Sequence, residues 1–205
     1  MFDVNAVRAD FPILSRQVNG KPLVYLDSGA SAQKPQVVID TVAHAYSHEY
    51  ANVHRGLHYL SNLATDKYEA VRATVQRFLN AGHEDEILFN SGTTEAINLV
   101  SYGWAAPRMQ PGDEIVLSVM EHHANIVPWH FLRERQGVRL VWVDTAPDGS
   151  LDPQAVLDAI TPRTKLVALT HMSNVLGTVV DIRAVAEGAR AQGVPVLVDG
   201  SQAAV

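Results

Sequence analysis

The sequence predicts an α/β fold built on a mostly parallel, doubly wound sheet. Short apolar, partly β-branched segments recur at 87–89, 115–119, 138–143, 166–169 and 194–198. Between them lie helix-like stretches at 94–104, 124–136, 153–160 and 182–192. Strand–helix–strand repetition at this spacing implies right-handed crossovers and parallel pairing. Several of these strands lack polar alternation, as expected when helices cover both faces of the sheet.

Ahead of this alternation, residues 1–34 mix short apolar runs with turn signals. Val18-Asn19-Gly20-Lys21-Pro22 reads as a loop leading into Leu23-Val24-Tyr25-Leu26. Pro35 suits the first turn of a helix running to about Tyr50, with Val38, Val42 and Tyr46 on one face. Residues 51–58 contain Gly56 and no clear period, so a loop is expected. A second helix follows over 61–80, where Leu63, Tyr68, Val71, Val75 and Phe78 form an apolar stripe over a charged back that includes Lys67. The chain ends at Ala203-Ala204-Val205, before any helix that covers the last strand. A sheet stopped there keeps an open edge or a bare face, so the sequence reads as cut, and exposed apolar surface and self-association are expected.

Composition narrows the function classes. With 47% hydrophobic and 19% charged residues the chain is an ordinary globular one. Acidic residues outnumber basic ones, 22 against 16, which argues against nucleic acid and against an anionic membrane surface as partners. No long uncharged apolar run is present, and Asp3, Arg8 and Asp10 interrupt the start where a signal peptide needs an apolar core. A cytoplasmic location is the expectation. The 205 residues contain no Cys, so they hold no disulfide, no thiolate metal site and no thiol nucleophile. Lysine is scarce, at positions 21, 34, 67 and 165.

In open parallel sheets, ligands collect beyond the carboxyl ends of the strands. The first expected strand is followed by Asn90-Ser91-Gly92-Thr93-Thr94-Glu95, and the second by Glu121-His122-His123-Ala124-Asn125. The fourth is followed by Thr170-His171-Met172-Ser173-Asn174, and the fifth by Asp199-Gly200-Ser201-Gln202. After the third comes a plain turn, Asp144 to Gly149. Ser91-Gly92-Thr93-Thr94 opening a helix fits a phosphate cradle, and it equally fits an ordinary cap with Gly92 as N-cap and Glu95 closing a partial capping box. Asp199 fits a partner for a ribose hydroxyl, a metal or a protonated pyridine nitrogen, or a simple N-cap. On extended backbone His122 and His123 point opposite ways, so at most one of them serves a given site. His54 and His58 stand four apart, but Gly56 weakens a helix there and no third ligand is evident, so no metal is expected. Taken together, a phosphate cradle, an imidazole, an Asn and an Asp at separate strand ends match pyridoxal phosphate best. That cofactor needs a phosphate grip, a ring stack, a hydrogen bond at its phenolic oxygen and a carboxylate at its ring nitrogen.

On these motifs the chain resembles aminotransferase class V, the fold-type I pyridoxal-phosphate enzymes, and within it the SUF-type (group II) cysteine desulfurases and related selenocysteine lyases. The stretches that carry the resemblance begin with Val7-Arg8-Ala9-Asp10-Phe11-Pro12, Tyr25-Leu26-Asp27-Ser28-Gly29-Ala30-Ser31 and Val53-His54-Arg55-Gly56-Leu57-His58. They continue with Gly92-Thr93-Thr94-Glu95-Ala96-Ile97-Asn98, Glu121-His122-His123-Ala124-Asn125-Ile126-Val127-Pro128-Trp129, Ser173-Asn174-Val175-Leu176-Gly177 and Val198-Asp199-Gly200-Ser201-Gln202. Glu121 to Trp129 is the most specific of these. Gly29 stands where the family usually has alanine.

The resemblance implies a role for each matching position. Thr93 and Thr94 would hold the cofactor phosphate, and His122 would stack on the pyridine ring. Asn174 and Gln202 would lie at the phenolic oxygen, Asp199 at the ring nitrogen, and His54 and Arg55 near the substrate. It further implies an N-terminal segment over 1–34 and an incomplete cofactor-binding large domain over 35–205. The intact enzyme would be a homodimer that takes sulfur from L-cysteine, leaves L-alanine and an enzyme persulfide, and serves a sulfur-acceptor protein in iron–sulfur cluster assembly. The family's Schiff-base lysine and persulfide cysteine have no counterpart among these residues, so the chain alone is expected to be inactive. A selenocysteine lyase or another class V enzyme, and a non-catalytic scaffold, are the alternatives.

Overall fold

The computed structural model describes residues 2–204. Met1 and Val205 lie outside them, and with Val205 the residue on which the expectation of an unfinished sheet ends. The chain divides into two compact units, Met1–Phe89 and Asn90–Val205.

The first unit opens with α1 (Val4–Ala9), capped by Asp3, whose carboxylate accepts the Asn5 and Ala6 N–H groups at 3.0 and 3.1 Å. Where the sequence reads as a plain loop, the structure forms a short antiparallel hairpin, β1 (Gln17–Val18) with β2 (Lys21–Pro22). Its two-residue turn is Asn19-Gly20, with φ of 51° and 73°. Positive φ at both positions is what a turn matching the strand twist demands, and Asn and Gly tolerate it best. The helix expected over 35–50 appears as α2 (Gln36–His44), which widens into a π turn over Ala45–Glu49. The loop over 51–58 is as expected. α3 (Tyr59–Leu79) starts two residues early, because the His58 ring accepts the Ser61 N–H and so caps it. It ends at Asn80 in the left-handed region, φ 54°.

Among the described residues of this unit only Ser61 and Ile87 are buried. Val38, Val42 and Tyr46, the expected inner face of α2, are exposed, and so are Val71 and Phe78 on α3. Lys67 is not merely solvated: its ammonium pairs with the Glu49 carboxylate at 2.5 Å. The strand expected over 87–89 does not form. A strand exists only where a partner supplies the ladder, and here the Ile87 carbonyl accepts from the Arg72 guanidinium while Leu88 and Phe89 stay exposed.

The second unit contains the sheet. It begins with α4 (Thr93–Leu99), extended by a π turn over Val100–Ala105. There follow β3 (Glu114–Ser118), α5 (Val127–Gln136), β4 (Arg139–Val143), α6 (Pro153–Asp158), β5 (Thr164–Thr170), α7 (Ile182–Ala191) and β6 (Val196–Asp199). Four of the five expected sheet strands thus form, and they pair in the order β4-β3-β5-β6 with every neighbour parallel.

Side chains along β3 and β5 alternate between two apolar layers. Ile115, Leu117, Leu166 and Ala168 pack with Ile97, Trp129 and Leu132 on the α4–α5 side. Val116, Val167 and Leu169 pack with Val156, Val185 and Ala189 on the α6–α7 side. Both faces of the sheet are covered, which explains why these strands carry no polar alternation. The chain leaves β3 for β4 on one side and returns to β5 on the other, so the strand order reverses between β3 and β5. Ligand crevices of doubly wound sheets open at such a point, beyond the carboxyl ends.

This layering predicts unequal costs of truncation. Leu117, fully buried on the central strand, should lose about 2–5 kcal/mol of stability on Leu117→Ala, while Val198→Ala on β6, where the side chain is 39% exposed, should lose less than about 1 kcal/mol. Urea unfolding of the two variants checks this, and equal losses would contradict the two-layer core.

Candidate functional site

The polar residues that follow β3, β5 and β6 gather at one edge of the sheet, because parallel strands end on the same side. Beyond β3, Glu121 turns its carboxylate inward. One oxygen accepts the Ser118 hydroxyl at 2.5 Å and the other accepts the Asn125 amide at 2.8 Å. Asn125 in turn accepts the Trp129 indole N–H at 3.0 Å. Ser118, Glu121, Asn125 and Trp129 are all buried. Burial pushes the Glu121 carboxyl up to about 7, with a smaller contribution from the nearby charge of Asp199, against the lowering effect of its hydrogen bonds.

This buried chain underlies the turn that displays His122. The His122 Nδ1 accepts the Ala124 N–H at 3.1 Å, capping a 3₁₀ turn over His123–Asn125, and its ring is exposed. With Nδ1 an acceptor, a neutral His122 carries its proton on Nε2. The His123 ring stands edge-on to it, with 6.0 Å between centroids. The two rings therefore meet edge-on and do not point opposite ways, because His123 begins a 3₁₀ turn and the backbone there is not extended.

Beyond β5, Ser173 is buried and its hydroxyl accepts the Val175 and Leu176 N–H groups, closing a turn that ends at Gly177 with φ 70°. Asn174 is exposed on that turn. Beyond β6, Asp199 is buried, and its Oδ1 accepts both the Ser201 N–H at 3.0 Å and the Ser201 hydroxyl at 2.6 Å. Both Ser201 donors converge on that one oxygen, which leaves Oδ2 free of them for a further donor. Gln202 is half-buried two residues on.

At the start of α4 the cap reading holds in part. Gly92 is the N-cap and its N–H donates to Asn90 Oδ1 at 3.0 Å, but the Glu95 carboxylate accepts the Ser91 N–H at 2.7 Å and the Ser91 hydroxyl. Those bonds hold Glu95 below the usual carboxylate range, the hydroxyl contributing most. Gly92 has φ 151°, a conformation other residues rarely adopt, and a Cβ there would face open space. The first-turn N–H groups of Thr93 and Thr94 have no intrahelical acceptor and point outward beside two hydroxyls. The Thr93 hydroxyl lies 2.9 Å from that of Ser201. Thr93, Ser201 and Asp199 therefore form one hydroxyl–carboxylate chain that joins the helix start to the end of β6.

The structure thus brings Thr93 and Asp199 together through Ser201 and sets His122, Asn174 and Gln202 at the same sheet edge. His54 and Arg55 belong to the first unit. There His54, at φ 65°, bonds the Glu69 carboxylate through Nε2 at 2.7 Å and donates its backbone N–H to the Thr65 hydroxyl oxygen at 2.9 Å, while Arg55 is exposed. Gly56 fits only because it lacks a Cβ, which would stand 2.4 Å from that of Ser61. Among the described residues no cluster of three or more metal-ligating side chains forms, and no helix is long and apolar enough to cross a membrane. Glu121 and Ser201 carry much of the geometry and received no role from the sequence. A Ser three residues before an acid and an Asn four after it was the readable signal for the first.

Comparison with known proteins shows what the chain is similar to. Residues 24–205 match the family described as aminotransferase class V. A cysteine desulfurase of Serratia proteamaculans is 53% identical over 203 residues, covering 98% of this chain and 50% of the relative. Two solved structures are similar over the whole chain. A cysteine desulfurase of Escherichia coli has TM-score 0.85 and 39% identity, with 50% of that chain covered. The apo cysteine desulfurase of Thermococcus onnurineus NA1 has TM-score 0.91 and 34% identity, with 49% covered. The chain spans half or less of the length of the curated relatives it matches.

The raised Glu121 carboxyl makes stability depend on pH with a definite sign. Between its ordinary value of 4.5 and about 7 the folded state holds a proton that the unfolded state has released, so stability falls as pH rises through that window. The loss totals about 3 kcal/mol at 1.36 kcal/mol per unit and persists above it. Glu121→Gln, neutral throughout, should lack this slope. Urea unfolding from pH 5 to pH 8 reads the difference, and parallel pH profiles for the two proteins would rule the effect out.

Proposed function

The chain belongs to the aminotransferase class V family, and from that premise we propose that it is the cofactor-binding half of a pyridoxal-phosphate-dependent cysteine desulfurase. The observation that carries the reading is the Thr93–Ser201–Asp199 chain, which couples a helix start suited to a phosphate with a buried carboxylate suited to a ring nitrogen. The residues present fit that cofactor on their own chemistry. The open space at Gly92 and the outward N–H groups of Thr93 and Thr94 suit a phosphate. The second oxygen of Asp199 suits a protonated pyridine nitrogen, and the exposed ring of His122 suits a stack.

In this reading Thr93 and Thr94 hold the phosphate and His122 lies on the ring face. Asn174 and Gln202 bond the phenolic oxygen, Asp199 keeps the ring nitrogen protonated, and His54 and Arg55 serve the substrate. When bound, the cofactor supplies an electron sink for carbanion chemistry on an amino acid. Ser201, with both donors on one oxygen of Asp199, fixes the plane of that carboxylate, so the remaining oxygen has a defined direction. The turn that carries His122 is held by its own bond to the Ala124 N–H, which keeps the ring from rotating into the sheet edge.

The persulfide-forming thiolate lies outside these residues, which contain no Cys. Lys165, the only lysine of 90–205, stands near the amino end of β5 beside Asp113, at the edge opposite the site. The SUF-type group rests on the stretch from Glu121 to Trp129. The division into an N-terminal segment over 1–34 and a large domain over 35–205 is part of the same proposal. So are a homodimer, a sulfur-acceptor protein, a role in iron–sulfur cluster assembly and a cytoplasmic location, all of which rest on the resemblance.

Alanine release from L-cysteine with added pyridoxal phosphate and a reductant tests this. The 205-residue chain should release no more alanine than free cofactor does. In a protein of the relatives' length that carries this half, Asp199→Ala should lower turnover about 100-fold or more, the scale of losing a charge-stabilising group, whereas Lys67→Ala should leave it within about twofold. Equal effects of the two substitutions would remove Asp199 from the site.

A further inference from the structure

The residues assigned to the cofactor leave one buried acid without a role. Glu121 directly precedes His122, its carboxylate is buried, and it is held from two sides: by Ser118 at the end of β3 and by Asn125 in the turn before α5. It therefore sits beside the point where the strand order reverses. We propose that Glu121 is a positioning residue for this site, tying the end of β3 to the turn before α5 so that the turn carrying the His122 ring is held in one orientation. This inference rests on the cofactor reading given above.

The geometry specifies how the tie works. The Trp129 indole can only donate, so it fixes the Asn125 amide with Oδ1 toward the indole and Nδ2 toward Glu121. One Glu121 oxygen is thereby committed as an acceptor whatever its protonation state. The other faces the Ser118 hydroxyl, which can donate or accept. The charged group that acts on this carboxyl is Asp199 at the end of β6, and His122 and His123 follow Glu121 directly in the chain. A glutamine at 121 reproduces the pattern: its oxygen accepts from Asn125 and its amide donates to Ser118. Alanine removes the tie and strands the Asn125 donor in the interior.

The test uses the 205-residue chain and pyridoxamine 5′-phosphate, which has no aldehyde and so cannot react with the exposed lysines. Affinity is read by titration calorimetry, and the His122 ring protons are read by NMR. Glu121→Ala should bind about tenfold more weakly, the usual scale for losing a group that orients a ligand-contacting side chain, and should shift the His122 resonances in the free protein. Glu121→Gln should restore both, with affinity within about twofold of the wild type. A folded Glu121→Ala protein with unchanged affinity and unchanged His122 resonances would overturn the inference while leaving the cofactor reading intact. A wild-type chain with no saturable binding would overturn the cofactor reading and this inference with it. If Glu121→Ala does not fold, Ser118→Ala carries the test: it removes one bond to the same carboxyl, about threefold weaker binding is expected, and unchanged affinity overturns the proposal.

Discussion

The constraint on which the second unit depends is that β3 and β5 must be covered on both faces. Their side chains alternate Ile115, Val116, Leu117 and Leu166, Val167, Ala168, Leu169, and none of these reaches water to any extent. A strand with two apolar faces stays in solution only between two helix layers, and parallel pairing supplies those layers through the crossovers. α4 and α5 cover one face, α6 and α7 the other. Once that is fixed, all four strands must end at the same edge, and the residues after them are brought together without any direct selection for proximity. The site follows from the core.

That dependence explains what was readable. Four strands and their helices stood out in the sequence because burial on two faces leaves unbroken apolar runs, and burial on one face leaves helical stripes. The segment over 87–89 carries the same local signal, yet the Arg72 guanidinium, not a ladder, takes its Ile87 carbonyl. Pairing is a property of two segments, and a single run of apolar residues cannot reveal that its partner is missing. The Asn19-Gly20 hairpin escaped for the opposite reason, since strands of two residues have no period to detect. The π turns at Ala45–Glu49 and Val100–Ala105 leave the apolar spacing almost unchanged, so the helices that contain them read as continuous.

Within the site, most of the legible residues face outward, the buried Asp199 excepted. Thr94, His122 and Asn174 are exposed and interrupt the pattern of their segments, so they draw notice as polar groups at strand ends. The residues that aim them are harder to see. Ser201 is read as one more small polar residue in a turn, until its hydroxyl is found between Asp199 and Thr93, 108 positions away in the chain. Glu121 is hidden by its neighbours, because an acid beside two histidines looks like part of a polar patch when it is in fact turned into the core.

The buried acid is the one place where the two demands on this sheet conflict. An apolar residue at 121 would avoid one cost, since desolvating a carboxyl raises its proton affinity even with donors around it. Yet the donors there are not optional. Asn125 has an amide left over once it has satisfied the Trp129 indole. A hydrocarbon side chain would bury that amide unpaired, at about 1–3 kcal/mol. A side chain with two polar atoms answers both that amide and the Ser118 hydroxyl. The tie it makes between the end of β3 and the turn before α5 leaves His122 at the sheet edge.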